Sequence, residues 1–272
     1  MIPASFSYER ARSVDEALEL AARHGDDAKF LAGGHSLLPL MKLRLAMPEV
    51  VIDLGRVPGL SYIEERNGHI AVGALTRHHD VENSGLLARE LPLLAHAAGQ
   101  VGDPQVRHRG TIGGSLAHGD PASDLPAVVL ALDATLVARG PAGEREIGAG
   151  EFFSSLFETA LGPDELLTEI RVPKPTARGW SFQKFHKRAI DWAIVGAAVQ
   201  GDHVALVNMG QTPLRATAVE QALAGGASPA EAAARAAEGT SPSADVNATS
   251  EYREHLARVL VRRALEESRS RS

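Results

Sequence analysis

Two glycine pairs constrain this chain more than any other feature of it. The first lies in Lys29-Phe30-Leu31-Ala32-Gly33-Gly34-His35-Ser36 and the second in Thr111-Ile112-Gly113-Gly114-Ser115. Each follows an apolar or β-branched segment, precedes a helical stretch and has a hydroxyl residue beside it. Backbone N–H groups at a helix start are well suited to a pyrophosphate, because the peptide dipoles there favour negative charge. The backbone must approach the oxygens closely, and glycine removes the Cβ that would stand between them. One such pair alone is more simply an ordinary tight turn. Two together read as two backbone clamps on one phosphate-rich ligand. Neither pair is a G-x-G-x-x-G or a P-loop, so the common nucleotide fingerprints are missing.

Other residues around the pairs have a functional and a plain reading. Arg107 and Arg109, just before the second pair, could balance ligand charge, although loop arginines are more often solvated. Asp124 could accept from ribose or adenine groups, as the acid of a dinucleotide fold does, or simply cap a helix. His35 follows Gly34 directly and would lie close to any ligand held there. The eleven histidines do not make a metal site. His78 and His79 are adjacent and point apart on a helix or a strand, and no H-E-x-x-H is present. No serine sits in a G-x-S-x-G context, so acyl transfer has no support.

The chain divides into three around this frame. Ser13-Val14-Asp15-Glu16 is a capping box, Val14, Ala17, Leu18 and Ala21 share one helical face, and Gly25 supplies the stop. A strand over 28–32, a short apolar helix after Ser36 and a strand over 49–54 complete an α/β unit spanning 1–55. Asn67-Gly68 marks a hairpin between strands over 60–64 and 69–72. Thr76 is placed to cap a helix through Val81, and further helices are expected over 91–98 and 125–132, the latter capped by Ser123 or Asp124. Strands over 134–138, 144–147 and 165–172 complete an α+β unit spanning 56–175. Pro173-Lys174-Pro175-Thr176-Ala177-Arg178-Gly179 has linker composition. The third unit, 178–272, starts with strands over 181–187, 193–200 and 203–209. A capping box at Ser228-Pro229-Ala230-Glu231 then opens an Ala-rich helix ending at Gly239, and an amphipathic helix runs over 251–267. Strands followed by helices make this unit α+β.

Composition narrows the function. Hydrophobic residues are 44% and charged residues 23%, enough apolar material for real cores. Aromatics are only 4% and the net charge is −6, which argues against a nucleobase-stacking or nucleic-acid-binding surface. The arginines near the end, Arg258, Arg262, Arg263, Arg269 and Arg271, read as a solvated helix face. There are no cysteines, which excludes disulfides, thiolate chemistry and iron–sulfur ligation within this chain. No apolar run approaches the ~18 residues of a membrane span. Met1-Ile2-Pro3-Ala4-Ser5-Phe6 lacks a charged-then-apolar signal pattern, so a cytoplasmic location is expected.

At these residues the sequence resembles a known family. Ala32-Gly33-Gly34-His35-Ser36 with Thr111-Ile112-Gly113-Gly114 is similar to the FAD-binding medium subunits of molybdenum hydroxylases, most closely those of aerobic carbon monoxide dehydrogenases. The opening Met1-Ile2-Pro3, the extension Leu37-Leu38-Pro39, Asp103-Pro104-Gln105-Val106-Arg107, Gly119-Asp120-Pro121 and Thr212-Pro213-Leu214 are similar too, so the resemblance covers essentially the whole chain. It implies an α+β fold: a two-part FAD-binding domain of the vanillyl-alcohol-oxidase-like type, then a C-terminal domain with a small antiparallel sheet packed on helices. It implies that Lys29, Leu31, Ala32, Gly33, Gly34, His35 and Ser36 face the FAD from one side. Thr111, Ile112, Gly113, Gly114 and Ser115 would face it from the other.

Asp124 resembles the family acid near the ADP part, Leu167 a residue packing near the cofactor, and Lys184 the lysine that approaches the flavin from the C-terminal domain. A cation there would stabilise the reduced flavin; the plain reading of Lys184 is a surface lysine on a strand. Trp192 stands where the family often has Tyr, so the ring contact would be made without a phenol hydroxyl. The resemblance further implies a small 2Fe-2S subunit and a large molybdopterin subunit as partners, in a dimer of heterotrimers. Electrons would arrive from the iron–sulfur clusters and leave to a quinone or other acceptor, with a peripheral membrane contact as one route to it. Carbon monoxide is the expected substrate of the large subunit, with an N-heterocycle or an aldehyde as the alternative. Two competing readings are a self-contained flavin oxidase with FAD joined to His35 and a non-redox nucleotide-binding module.

Overall fold

The computed structural model describes residues 2–271. Met1, which begins the opening Met1-Ile2-Pro3, and Ser272 lie outside the described residues. Helix Val14–His24 starts at Ser13, whose side chain accepts from the Glu16 amide, and ends at Gly25 with φ +55°. The Glu16 carboxylate reaches back one residue further than a standard capping box, accepting from Arg12 N at 2.7 Å. The buried face of this helix, Ala17, Leu18, Leu20 and Ala21, covers a parallel sheet with Val50–Asp53 between Ser7–Arg10 and Ala28–Leu31. The strand Ala28–Leu31 delivers the chain directly into the first glycine pair.

The middle of the chain forms an antiparallel sheet of five strands. Their order is Ile63–Arg66, His69–Gly73, Leu166–Pro173, Thr135–Gly140, Gly143–Gly148. Asn67 and Gly68 both have positive φ, 44° and 85°, as a two-residue hairpin turn of this hand requires. Helices Pro92–Gly99 and Asp124–Ala131 supply much of the core beneath this region.

The last unit is a four-stranded antiparallel sheet in the order Trp180–Phe185, Val195–Gln200, His203–Val207, Leu214–Arg215. Every residue of Val195–Gln200 is buried, because both faces of the sheet are covered. The period of two is clean. Val195, Ala197, Val199, Val204 and Leu206 pack towards helix Ser250–Ser270, while Ala198, Ala205 and Val207 belong to the core of the middle unit. The small side chains on that second face let helix Asp124–Ala131 approach the strands Val195–Gln200 and His203–Val207. The C-terminal sheet is therefore built into the same core as the middle unit.

Three expectations are corrected. Thr76 does not cap a helix: its hydroxyl donates to Tyr62 O at 3.0 Å and accepts from Tyr62 N at 3.1 Å, and helix His78–Glu82 begins after Arg77 without a side-chain cap. The second glycine pair is not a turn before a helix but part of the first turn of helix Ile112–His118, with Thr111 as N-cap accepting from the Gly114 amide. The capping box at Ser228 and Glu231 forms, yet its helix spans only Pro229–Ala233. Beyond it the bonds shorten to i→i+3, Ala236 N to Ala233 O and Glu238 N to Arg235 O, which keeps Ala236 buried until Gly239 turns the chain at φ +74°.

Candidate cofactor site

The two glycine pairs meet. A Cβ on Gly33 would lie 2.3 Å from the Arg109 carbonyl oxygen and 2.7 Å from Gly110 Cα, and one on Gly113 would lie 2.5 Å from Ala74 Cβ. Glycine is thus required at both positions for chain to approach chain, in addition to any approach to a ligand. Gly34 has φ +80°, which disfavours other residues on its own account. A Cβ on Gly114 would be 3.7 Å from Ala32 Cβ, so the two segments stand wall to wall.

Their donors differ. Among the described residues the amides of Gly33, Gly34, His35 and Ser36 have no hydrogen-bond partner within the chain. The amides of residues 112–115 are engaged: Ile112 N with Thr76 O at 2.9 Å, Gly113 N with Ala74 O at 2.8 Å, Gly114 N with Thr111 Oγ1 at 3.2 Å and Ser115 N with Thr111 O at 3.0 Å. The first segment therefore offers the backbone clamp, while the second offers the hydroxyls of Thr111 and Ser115 on a rigid wall. The sequence reads as two backbone clamps; long-range bonds to Ala74 and Thr76, invisible in the sequence, take up the amides of Ile112 and Gly113.

Both segments line one cavity of about 500 Å³, a size ordinary for a cofactor site. Lys29, Ala32, Gly33, Gly34, His35 and Ser36 line it from the N-terminal unit, and Thr111, Gly113, Gly114, Ser115, Asp124 and Leu167 from the middle unit. Lys184 and Trp192 line it from the C-terminal sheet. Leu31 and Ile112 lie behind the wall: the Leu31 side chain packs at Gly34, and Ile112 is fully buried in the core.

Lys184 closes the far side. Its Nζ is 2.7 Å from Asp124 Oδ2 and 3.0 Å from the Gln100 carbonyl, and both side chains of the ion pair are buried. The reading of Lys184 as a surface lysine is thereby replaced. Burial pushes the Asp124 carboxyl up to about 6, and the Lys184 ammonium pulls against that shift by charge and hydrogen bond. Asp124 Oδ1 is buried with no hydrogen-bond partner among the described residues, an acceptor left over beside the cavity.

Several lining residues escape the sequence reading. His78 is buried at 4% exposure beside Gly110 and His35, and its Nδ1 has no hydrogen-bond partner among the described residues. Burial holds the ring at about 4, with the charges of His35 and Arg107 adding to the effect, so it is neutral at neutral pH. Its only sequence signal is a spacing of three from buried Val81 on the same short helix. Val101, Gly110, Ser123, Ile190 and Asp191 also line the cavity. Arg107 does not: it pairs with Glu82 at 2.8 Å and donates to the Val101 carbonyl. Arg109 is exposed. No group of three or more metal-ligating side chains occurs among the described residues, and no described helix is long and apolar enough to cross a membrane.

Unpaired amides for an anion, a spare buried acceptor for a hydroxyl or amine, and Leu161, Leu166 and Leu167 for a flat ring fit FAD. A chain of this fold and site falls in the class of dinucleotide-binding proteins. Residues 4–175 match the family described as FAD binding domain in molybdopterin dehydrogenase, and residues 180–268 match the CO dehydrogenase flavoprotein C-terminal domain. The chain belongs to this family of flavin-binding oxidoreductase subunits, and its cofactor is FAD. It is 42% identical to the carbon monoxide dehydrogenase medium chain of Hydrogenophaga pseudoflava, over 97% of each chain. It is 41% identical to the 6-hydroxypseudooxynicotine dehydrogenase complex subunit alpha of Paenarthrobacter nicotinovorans, over 97% of this chain and 95% of that one. The solved carbon monoxide dehydrogenase from Hydrogenophaga pseudoflava that lacks the Mo-pyranopterin moiety superimposes with a TM-score of 0.96, covering 100% of this chain and 99% of its counterpart at 42% identity.

Proposed function

We propose that this chain is the electron-transferring flavoprotein subunit of a carbon monoxide dehydrogenase and that FAD occupies the cavity between its three units. The single observation that carries the placement is the convergence of the unpaired amides of residues 33–36, the Thr111 and Ser115 hydroxyls and the Lys184–Asp124 pair on one cavity. In this reading the amides of Gly33, Gly34, His35 and Ser36 donate to the pyrophosphate, with Thr111 and Ser115 completing the set. Asp124 Oδ1 accepts from the nucleotide, Lys184 brings a cation towards the ring, Leu167 excludes water and Trp192 covers the ring from the mouth. When bound, FAD supplies a centre able to exchange electrons singly or in pairs.

The electrons come from a small 2Fe-2S partner, which receives them from a large molybdopterin partner, and they leave to a quinone or other acceptor. The cysteine-free composition supports this division of labour, because cluster ligands must then lie on another chain. A dimer of heterotrimers in the cytoplasm is the assembly we propose. Carbon monoxide is the proposed reductant. The similarly related 6-hydroxypseudooxynicotine dehydrogenase subunit makes an N-heterocycle the competing one.

The test is co-expression with both partner chains. The purified complex should contain FAD and reduce a dye acceptor with carbon monoxide, whereas this chain with FAD alone should not. Turnover by the isolated chain would overturn the subunit reading, and turnover of the complex only with an N-heterocycle would replace the substrate. Acid precipitation should leave the flavin in the supernatant; flavin in the pellet would point to a covalent link at His35.

A further inference from the structure

We infer that Asn208 is a positioning residue for the cavity, holding the loop that carries Trp192 in register with the wall that carries Asp124. The inference rests on the reading that FAD occupies the cavity with Trp192 over it. The loop over 186–193 leaves the sheet between the strands Trp180–Phe185 and Val195–Gln200, and Ile190, Asp191 and Trp192 line the cavity mouth. Ile190 and Trp192 are 59% and 57% exposed, so little packing within the loop itself holds them. What fixes the loop is its base. Ile194 N bonds to Phe185 O at 2.8 Å, which closes the excursion.

Asn208 Nδ2 then donates to Ala193 O at 2.9 Å and Ile194 O at 3.3 Å, the carbonyls that follow Trp192. The buried Arg253 of helix Ser250–Ser270 donates Nη1 to the same Ile194 carbonyl, and its Nη2 is 2.8 Å from Asp245 Oδ2. Both partners of the Asn208 side chain are carbonyl oxygens, so only an NH2 can face them.

The same residue reaches the opposite wall. Asn208 N donates to Pro121 O at 2.8 Å, in the loop that leads into Ser123 and Asp124, both of which line the cavity. To make both contacts its backbone takes φ +60°, a conformation that non-glycine residues rarely adopt and that asparagine tolerates better than most. Aspartate would match it in size and backbone tolerance but would turn a carboxylate towards two carbonyl oxygens. Glycine would relieve the backbone and remove the donor. The two substitutions therefore separate the hydrogen bond from the strain.

The experiment uses the full chain assembled with its partner chains, and reads the dissociation constant for FAD and the emission lifetime of the bound flavin, which a close indole shortens. Trp192→Ala should lengthen the lifetime and weaken FAD binding. Asn208→Asp should weaken binding about tenfold and lengthen the lifetime towards that of Trp192→Ala, and Asn208→Gly should move both readouts the same way by less. The Asn208→Asp, Trp192→Ala double variant should lose little beyond Trp192→Ala, because the two residues act through one contact. Asn208→Gly, which suits the left-handed backbone, keeps the test readable if Asn208→Asp fails to fold. If Trp192→Ala changes both readouts and neither Asn208 variant does, the positioning role is wrong while the FAD reading stands. If Trp192→Ala leaves the lifetime unchanged, the flavin is not under Trp192 and both fall.

Discussion

Lys184 and Asp124 form a buried ion pair, Nζ to Oδ2 2.7 Å, that joins the strand Trp180–Phe185 of the C-terminal sheet to the helix Asp124–Ala131 of the middle unit. The pair sits in the cavity wall, with its charges 5% and 6% exposed. Removing two charges from water is costly, and their attraction offsets the cost only while both partners are present. The same pair thus fixes how two units meet and sets the charge that a ligand in the cavity encounters.

Breaking it should be worse than removing it. Lys184→Met leaves the Asp124 carboxyl buried without its cation, and we expect a loss of about 3–5 kcal/mol in stability. The double variant Lys184→Met, Asp124→Leu should recover most of that. Urea unfolding of the four FAD-free proteins measures the coupling directly. Additive losses from the two single changes would show that the pair does not act as a unit.

Gly33→Ala should abolish tight FAD binding, with at least a tenfold fall in flavin per chain in the purified complex. The added methyl would stand 2.3 Å from a backbone carbonyl, so the segment over 33–36 must move away from residues 109–110. Gly34→Ala meets only flexible side chains, Leu38 at 2.9 Å and Leu31 at 3.3 Å, and its main cost is the left-handed backbone, about 1–2 kcal/mol. The expected order of flavin content is wild type, then Gly34→Ala, then Gly33→Ala. The reverse order would mean that close chain approach at Gly33 is not what shapes the site.

His78 should make stability pH-dependent. Burial, followed by the charges of His35 and Arg107, lowers this ring from its ordinary 6.5 to about 4. The unfolded chain takes up a proton on it below about 6.5, while the folded chain does so only near 4. Its contribution is therefore complete above pH 6.5, is lost progressively as the pH falls towards 4, and amounts to about 3 kcal/mol. His78→Phe should flatten the stability curve in that window, measured as the difference between the two proteins in urea unfolding at several pH values. Parallel curves would count against a neutral buried His78.

Some of this was legible in the sequence. Asn67-Gly68 specified its hairpin, alternation specified the strands, and the glycine pairs marked the cavity because only glycine tolerates such close approach. Asp124 stood out by its place after the second pair, as a ligand acceptor or a helix cap, whereas Lys184 was picked out only by the family resemblance. What was not legible depends on partners far away in the chain. The amides of Ile112 and Gly113 are taken by Thr76 and Ala74, so the second glycine pair became a rigid wall instead of a second clamp. Thr76 bonds to Tyr62 instead of capping a helix. Asn208 in Val207-Asn208-Met209 has no local signal at all, since its role comes from Pro121 on one side and the end of the Trp192 loop on the other.

The shared core makes a last prediction about how the chain can be divided. The linker composition of residues 173–179 suggests that a fragment ending at 175 would be an independent FAD-binding domain. Helix Asp124–Ala131 argues otherwise. All its residues are buried, and they are covered in part by Ala198, Ala205 and Val207 of the C-terminal sheet. Without that sheet the helix presents an apolar face to water, and Asp124 loses the cation that holds it. We expect the fragment 2–175 to keep its far-ultraviolet circular dichroism, lose its near-ultraviolet signal, bind a hydrophobic dye and fail to retain FAD. A fragment that instead unfolded cooperatively without binding the dye would show that the middle unit closes its own core, and that the sheet only docks on a finished surface.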